Sequence, residues 1–227
     1  MSIKYYTGEL GTFSYDDVEW KIIIKHKSPH LHYIGDKTKD IIIPNGIIDC
    51  SYMFEGCKML RIAPDIPKEV LKCPSMFMNC VSLITAPEIP DKVWDCHKMF
   101  MNCVSLITAP EIPDGVTNCS WMFYNCVSLT HIHNIPGVAY CSHMFEDCVS
   151  LEEVPNIYNG VKYCNNMFMN CKRLVSIYNI PNSIINSSNM FRNCLCLKYI
   201  PEIPKGIKYY TSMFTNCISL EKKPKLL

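Results

Sequence analysis

Hydrophobic positions recur along most of the chain at a fixed spacing. The pair Met-Phe occurs eight times, beginning at Met53, Met76, Met99, Met122, Met144, Met167, Met190 and Met213. We number the corresponding units rungs 1 to 8; successive pairs are 23 residues apart, except for a step of 22 between rungs 4 and 5. The common pattern is M-F-x-x-C-x-x-L-x-x-A/I-P-x-I-P-x-x-V-x-x-C-x-x. A unit of this size cannot bury its apolar positions alone, so the repeat predicts stacked units with one continuous core.

Rung 3 illustrates which side chains the pattern directs inward. The predicted row is Met99, Phe100, Cys103, Leu106, Ala109, Ile112 and Val116. The run from Leu106 to about Ala109 predicts a short strand, which Pro110 and Pro113 end because proline has no backbone donor. Strands of successive rungs are expected to be parallel and about 4.8 Å apart. The expected fold class is therefore a β-rich repeat solenoid with 23-residue rungs and a parallel sheet.

The two ends of the repeat suggest how the solenoid is closed. Residues 1–40 lie outside the repeat, and the alternation in "VEWKIII" predicts a strand over residues 18–24. We interpret residues 1–40 as a small N-terminal β-hairpin cap that covers the open end of the stack. Residues 41–227 form the solenoid of about eight rungs, of which the last is partial and capping.

Three rungs stand out in the sequence. Residues 76–91 of rung 2 and 99–114 of rung 3 are the same sixteen residues, which indicates a recent duplication. Rung 4, in contrast, is one residue short and has His133 where most rungs have their first proline. Such a break in register predicts a bend or a functional rung, although simple drift of the sequence explains it equally well.

The repeat carries a family resemblance. The combination L-x-x-I-x-x-I-P-x-x-V-x-x-C-x-x-M-F-x-x-C-x-S over residues 41–220 resembles the BspA-like, or Treponema-type, leucine-rich repeat. The resemblance implies a right-handed solenoid used for binding, with no shared catalytic residue. Members of that family include bacterial surface antigens that attach to host matrix, and similar repeats occur in proteins of phages and other mobile elements. Likeness of fold does not choose among these roles.

Fifteen cysteines form two rows, one after Met-Phe and one before it, with Cys196 outside both. Six residues separate the paired positions, which is wider than the usual spacing of zinc ligands. Stacked rungs bring cysteines of one row within reach of a disulfide, so distance alone leaves that alternative open. The odd number and the lack of a visible export signal or membrane-spanning segment favour free, buried thiols in a reducing, cytoplasmic compartment.

Charge is segregated along a chain whose net charge is only +1. Residues 51–159 contain 6 basic and 12 acidic side chains, whereas residues 160–227 contain 10 and 2. We find no phosphate-binding loop and no catalytic motif, and therefore expect neither an enzyme nor a cofactor. His131 and His133 flank the inward Ile132 and can together face outward, where two imidazoles are able to hold a metal. The plainer interpretation is two exposed histidines, and no metal site is predicted.

The remaining outward side chains suggest a binding surface. The candidate partner-binding residues are Tyr124, His131, His133, Tyr140, Tyr163, Arg173, Tyr178, Lys198, Tyr199, Lys208 and Tyr209. We expect one docking face across rungs 4 to 7, with tyrosines as anchors and lysines guiding association. The predicted function is a non-enzymatic protein-binding module, specifically a cytoplasmic interaction or inhibitor protein of bacterial or phage origin that sequesters a host protein. The alternatives are a surface adhesin that binds host matrix, and binding of nucleic acid or an anionic surface by the basic C-terminal third.

Overall fold

Three antiparallel strands precede the repeat. The structure, a computed structural model, describes residues 12–15, 18–25, 28–33, 41–43 and 46–222, with side chains described from residue 32 onward. The strands are β1 (Thr12–Tyr15), β2 (Val18–Lys25) and β3 (Ser28–Tyr33), in the order β1-β2-β3. The strand predicted over residues 18–24 is thus confirmed, and a third strand extends the expected hairpin. Residues 1–11 and 34–40 of the predicted cap, and the tail from residue 223, lie outside the described residues.

The end of β3 contacts rung 1. The backbone N–H of Tyr33 donates to the Met53 carbonyl at 2.7 Å, and the Tyr33 ring lies 5.5 Å from the Phe54 ring. The imidazole of His32 is 3.0 Å from the carbonyl oxygen of Tyr52. The end of β3 therefore adjoins rung 1, and Tyr33 continues the row of aromatic rings.

Two ladders of parallel backbone bridges connect the rungs. Ladder A contains Ile62, Thr85, Thr108 and His131 and, in its second half, Glu153, Ser176 and Tyr199. Ladder B contains Asp49, Lys72, Asp95, Asn118, Tyr140, Tyr163, Asn186 and Tyr209. Within the described part of the repeat, the only extended strands are β4 (Glu153–Val154) and β5 (Ser176–Ile177), which pair in parallel.

The strand predicted from Leu106 to Ala109 is much shorter than expected. It is a single bridging residue, Thr108, and the chain leaves the ladder immediately afterwards. Pro110 follows and cannot donate to a neighbouring rung, so pairing cannot continue along the coil. Ladder B is continuous from Asp49 to Tyr209. It therefore provides more of the backbone pairing between rungs than ladder A does.

One core runs through all the rungs, as the repeat predicts. In rung 3 the predicted inward row is buried, except that Ile112 is only partly so. The phenylalanine rings stack continuously from Phe54 to Phe214, with neighbouring centroids 5.3 to 5.6 Å apart and planes within 10°. Burial of large apolar side chains supplies most of the stabilisation, and stacking of rings adds to it.

The corner around each Met-Phe pair depends on asparagine. The third residue after the methionine has a positive φ in every rung, for example 62° at Asn102, a conformation that asparagine tolerates better than most residues. The Nδ2 of Asn102 donates to Oδ1 of Asn79 at 2.8 Å, and Asn125 donates in the same way to Asn102 at 3.0 Å. Rung 5 has Asp147 at this position, which lacks the amide donor, so the chain of side-chain hydrogen bonds is interrupted between Asn125 and Asp147. It resumes in rung 6, where Asn170 donates to Asp147 at 2.8 Å.

The cysteines after Met-Phe have a specific structural role. In rungs 2 to 8 each thiol donates to the phenylalanine carbonyl of the preceding rung, as Cys103 does to Phe77 at 3.1 Å. All fifteen cysteines are unpaired, and Cys196 alone is exposed. Burial raises the pKa of the others above the ordinary value of 9.0, to about 12 for Cys57 and Cys141 and about 11 for Cys217. These thiols therefore stay protonated and act as small, hydrogen-bonded core side chains.

Candidate functional site

Ladder B brings three of the predicted tyrosines into one column. The rings of Tyr140 and Tyr163 stack with centroids 5.3 Å apart and planes 8° apart. They are 51% and 36% exposed, and Tyr209, two rungs beyond Tyr163, is 60% exposed. Lys208 directly precedes Tyr209 on the same surface. Because their backbones are fixed by bridges on both sides of Tyr163, these side chains project from a rigid surface.

The other predicted tyrosines lie elsewhere. Tyr199 belongs to ladder A, Lys198 directly precedes it, and Tyr178 follows the ladder A residue of rung 6 by two positions. The two ladders are ten residues apart in a 23-residue repeat, as Thr108 and Asn118 show, with the buried Ala109 and Val116 between them along the chain. The expected single face would have to combine Tyr199 of ladder A with Tyr140 and Tyr163 of ladder B. That face remains a prediction.

Tyr124 lies on a third surface, the Met-Phe corner. Burial raises its pKa, and the carboxylates of Asp147 and Glu146 raise it further. Nearby, the Trp121 ring stacks on His143 at 4.7 Å, and the ammonium of Lys98 lies 5.5 Å from the Trp121 centroid. The aromatic side chains of this corner already have partners within the chain, so fewer of their faces remain for a ligand.

The predicted histidines do not form a joint site. His131 Nδ1 is 2.8 Å from the hydroxyl of Thr130, whereas His133 Nδ1 is 3.6 Å from the carboxylate of Glu111 in the preceding rung. Among the described residues, no group of three potential metal ligands is present. The guanidinium of Arg173 pairs with Glu152 on the surface, so this predicted binding residue is partly occupied within the chain.

Rung 4 opens a cleft in ladder A. Among the described residues, no bridge joins His131 to Glu153, and Ile135 pairs with Ile157 instead. A cleft of about 530 Å³ lies at the break, lined by residues 130–132, 152–155 and 176–178. The residue missing from rung 4 lies between Ile135 and Val138, where Gly137 lies directly against Asn159 and Gly160 of the next coil. The short rung thus brings the coils together at one corner and separates them at ladder A.

A column of exposed apolar side chains lies beside the N-terminal half of ladder B. Ile48, Leu71 and Trp94 directly precede ladder B residues of successive rungs and are 55%, 38% and 48% exposed. This column was not predicted, because the candidate residues chosen near ladder B, such as Tyr140 and Tyr163, lie immediately before a cysteine, one position further along. Comparing the neighbouring position across rungs would have found it, since the repeat aligns all three.

Comparisons with known proteins agree with the stacked architecture. The family model described as "BspA type Leucine rich repeat region (6 copies)" matches residues 30–137 and 96–221. The chain is a BspA-type leucine-rich repeat protein. A BspA-type repeat is generally a non-enzymatic module, so the absence of a recognisable catalytic motif in the sequence agrees with the family. No curated protein matches the chain.

Two crystal structures resemble the BspA-type fold seen in this chain. The T. pallidum leucine-rich repeat protein has 20% sequence identity and a TM-score of 0.56, covering 88% of this chain and 87% of its own. A leucine-rich repeat protein from Bacteroides ovatus ATCC 8483 has 17% identity and a TM-score of 0.52, covering 92% and 69%. At these identities the likeness concerns the fold alone. No helix among the described residues is long and apolar enough to cross a membrane.

Proposed function

We propose that this chain is a non-enzymatic protein-binding module whose contact surface is ladder B. The supporting observation is the column of Tyr140, Tyr163 and Tyr209, whose rings are exposed although their backbones are held in a regular ladder. Exposed tyrosines on a rigid support supply large contact areas at a low cost in conformational entropy and are common binding hot spots. The architecture we propose is a right-handed solenoid of 23-residue rungs, capped by the N-terminal antiparallel sheet.

We propose further that the protein works in the cytoplasm, as an interaction or inhibitor protein that sequesters a bacterial host protein. Fourteen thiols that are partly or fully buried, seven of them hydrogen-bonded to phenylalanine carbonyls, suit a reducing compartment. The alternative role as a surface adhesin would place these thiols in an oxidising environment. Cell fractionation of the native source, with alkylation of free thiols before lysis, separates the two roles.

Capture of a partner tests the binding surface. Immobilised protein is incubated with lysate from the native host, and the Tyr140→Ala/Tyr163→Ala double variant is compared with wild type. Tyr178→Ala is the matched control, because Tyr178 is 75% exposed but lies on the ladder A side. We expect the double variant to lose a captured protein at least tenfold and the control to retain it. Equal capture by all three proteins would place the interface elsewhere.

A further inference from the structure

The cations on and beside ladder B differ between the two halves of the stack. In the N-terminal half, Lys72 pairs with Asp49 at 2.9 Å, and the Asp95 carboxylate contacts the His97 ring at 2.9 Å. In the C-terminal half, Lys162 and Lys208 directly precede Tyr163 and Tyr209 and are both exposed. Within the part of the chain that the structure describes, neither lysine has an ion-pair partner. The second half of this surface therefore carries positive charge that no carboxylate among the described residues pairs with.

Acidic side chains are scarce around these two lysines. Residues 160–222 contain eight basic side chains and two acidic ones, Glu202 and Glu221. Glu202 lies at the proline corner of its rung, and Glu221 hydrogen-bonds to Tyr199 on the other side of the coil. Neither carboxylate is on ladder B. The positive potential at Lys162 and Lys208 is thus available to an external anion.

Ile185 lies between the two lysines in their own column, and hydrogen-bond donors line the adjacent column of ladder B. The Oδ1 of Asn186 accepts from the backbone N–H of Ser188 at 3.0 Å, which leaves the Nδ2 donor of Asn186 for a ligand. The exposed hydroxyls of Tyr163 and Tyr209 lie on either side of Asn186 along the ladder. Amide, phenol and ammonium groups all donate to carboxylates, and bonds to a charged acceptor are stronger than neutral ones.

The spacing and the ring geometry favour a peptide over a nucleic acid. Lys162 and Lys208 occupy equivalent positions two rungs apart, so their α-carbons are about 10 Å apart at roughly 4.8 Å per rung. Tyr140 and Tyr163 stack on each other at 5.3 Å, which leaves no room for a base to insert between the two rings. Their exposed edges instead form an apolar platform beside the cations, suited to a side chain of a protein.

We propose that the surface formed by Tyr140, Lys162, Tyr163, Lys208 and Tyr209 docks an acidic segment of a partner protein. Carboxylates of the segment bind Lys162 and Lys208 and accept hydrogen bonds from the phenols of Tyr163 and Tyr209 beside them. An apolar or aromatic side chain of the same segment packs on the Tyr140–Tyr163 pair. The inference rests on the proposed protein-binding function and adds the chemistry of the partner.

The test measures binding of a defined acidic probe. The probe is a fluorescein-labelled peptide of seven glutamates around one phenylalanine, compared with a peptide in which glutamine replaces every glutamate. We expect fluorescence anisotropy to show binding of the glutamate peptide alone. Lys162→Glu/Lys208→Glu should weaken this binding at least tenfold, and Tyr163→Phe, which removes one donor but keeps the ring, about threefold.

A matched pair of charge reversals separates the surface from net charge. Lys172→Glu/Lys198→Glu changes the total charge by the same amount, but Lys198 directly precedes Tyr199 of ladder A and Lys172 follows the Met-Phe corner. This control should weaken binding of the glutamate peptide less than twofold. If both double variants weaken that binding equally, or if the wild-type protein does not bind the glutamate peptide, the proposed acidic ligand is wrong. If a dT12 oligonucleotide binds more tightly than the glutamate peptide, and Lys162→Glu/Lys208→Glu weakens its binding in the same way, the proposal is also overturned, in favour of nucleic acid.

The outcomes also distinguish this inference from the proposed function. If Tyr140→Ala/Tyr163→Ala abolishes capture of a lysate protein while Lys162→Glu/Lys208→Glu retains it, ladder B binds protein but the segment is not acidic. If neither double variant affects capture, ladder B is not the interface. Circular dichroism and melting temperature, measured for every variant, identify any loss of folding that would imitate a loss of binding.

Discussion

Replacing Gly137 by alanine should destabilise the protein severely, because two coils meet there. A Cβ at this position would lie 2.3 Å from the carbonyl oxygen of Asn159, about 1.1 Å short of ordinary contact, which begins near 3.4 Å. The rungs can relieve this overlap only by separating at that corner. The nearest bonds are Ile135 N–H to the Asn156 carbonyl and Tyr158 N–H to the Ile135 carbonyl, both 2.8 Å, and a 1 Å separation breaks both.

The magnitude follows from these contacts. Two lost hydrogen bonds cost about 1 kcal/mol each, and residual overpacking against backbone costs about 1–3 kcal/mol more. We therefore expect Gly137→Ala to lower the free energy of unfolding by about 3–5 kcal/mol. Gly206→Ala is the matched control at the same repeat position, where the nearest backbone atom is 3.7 Å from the added Cβ. It should change stability by less than about 1 kcal/mol, in either direction.

Urea denaturation of the two glycine variants, followed by circular dichroism and by tryptophan fluorescence, measures this difference. Hydrogen exchange adds a local measurement, because the amides of Ile135 and Tyr158 should lose protection in Gly137→Ala and keep it in Gly206→Ala. If the two variants have the same stability, the coils are not in tight contact at Gly137. The explanation of the ladder A cleft by the shortened rung would then fail as well.

Three further predictions concern the core and the corners. Phe100→Ala should cost about 3–5 kcal/mol in urea denaturation, and Phe214→Ala clearly less, because Phe214 ends the ring stack and is only partly buried; equal losses would contradict a shared stack. Asp147→Asn should raise the melting temperature, since the new amide can donate to Asn125 and add about 0.5–1 kcal/mol; an unchanged melting temperature would show that the interrupted amide chain has no energetic effect. Because burial raises the pKa of the core thiols in the folded state, stability should be complete below pH 9 and fall as pH rises above it, by up to about 1.4 kcal/mol per pH unit for each thiol. Denaturation at pH 7 to 10.5 under a reductant measures this slope, and a flat profile would contradict it.

The repeat allowed the inward side chains to be predicted almost completely, because packing imposes the same residue types at the same phase in every rung. The position of Leu106 in the core followed directly from this phase. The extent of backbone pairing between rungs could not be predicted in the same way. Apolar runs predict strands, but they do not show which backbone bridges form when proline is nearby. Ladder B is marked only by polar and aromatic residues such as Asn118 and Tyr140, which have no common strand pattern.

The candidate site was only partly predictable for a related reason. Outward columns can be aligned from a repeat, and the exposure of Tyr140, Tyr163 and Tyr209 agrees with that alignment. Which columns share a side of the coil depends on where the coil turns, and the repeat period alone does not determine this. The cleft at His131 was even harder to predict from the sequence, because the residue missing from rung 4 is several positions away, beyond Ile135.

The identity of residues 76–91 and 99–114 has a consequence for inheritance. Removing residues 77–99 joins Met76 to Phe100 and restores the same sixteen-residue sequence at the junction. Every remaining coil therefore stacks on a neighbour of the same kind as before. Unequal recombination between the two copies can therefore shorten or lengthen the gene by one whole coil while the encoded chain still stacks. The length of the molecule can vary among descendants by steps of one coil, and the distance between its two ends would vary with it.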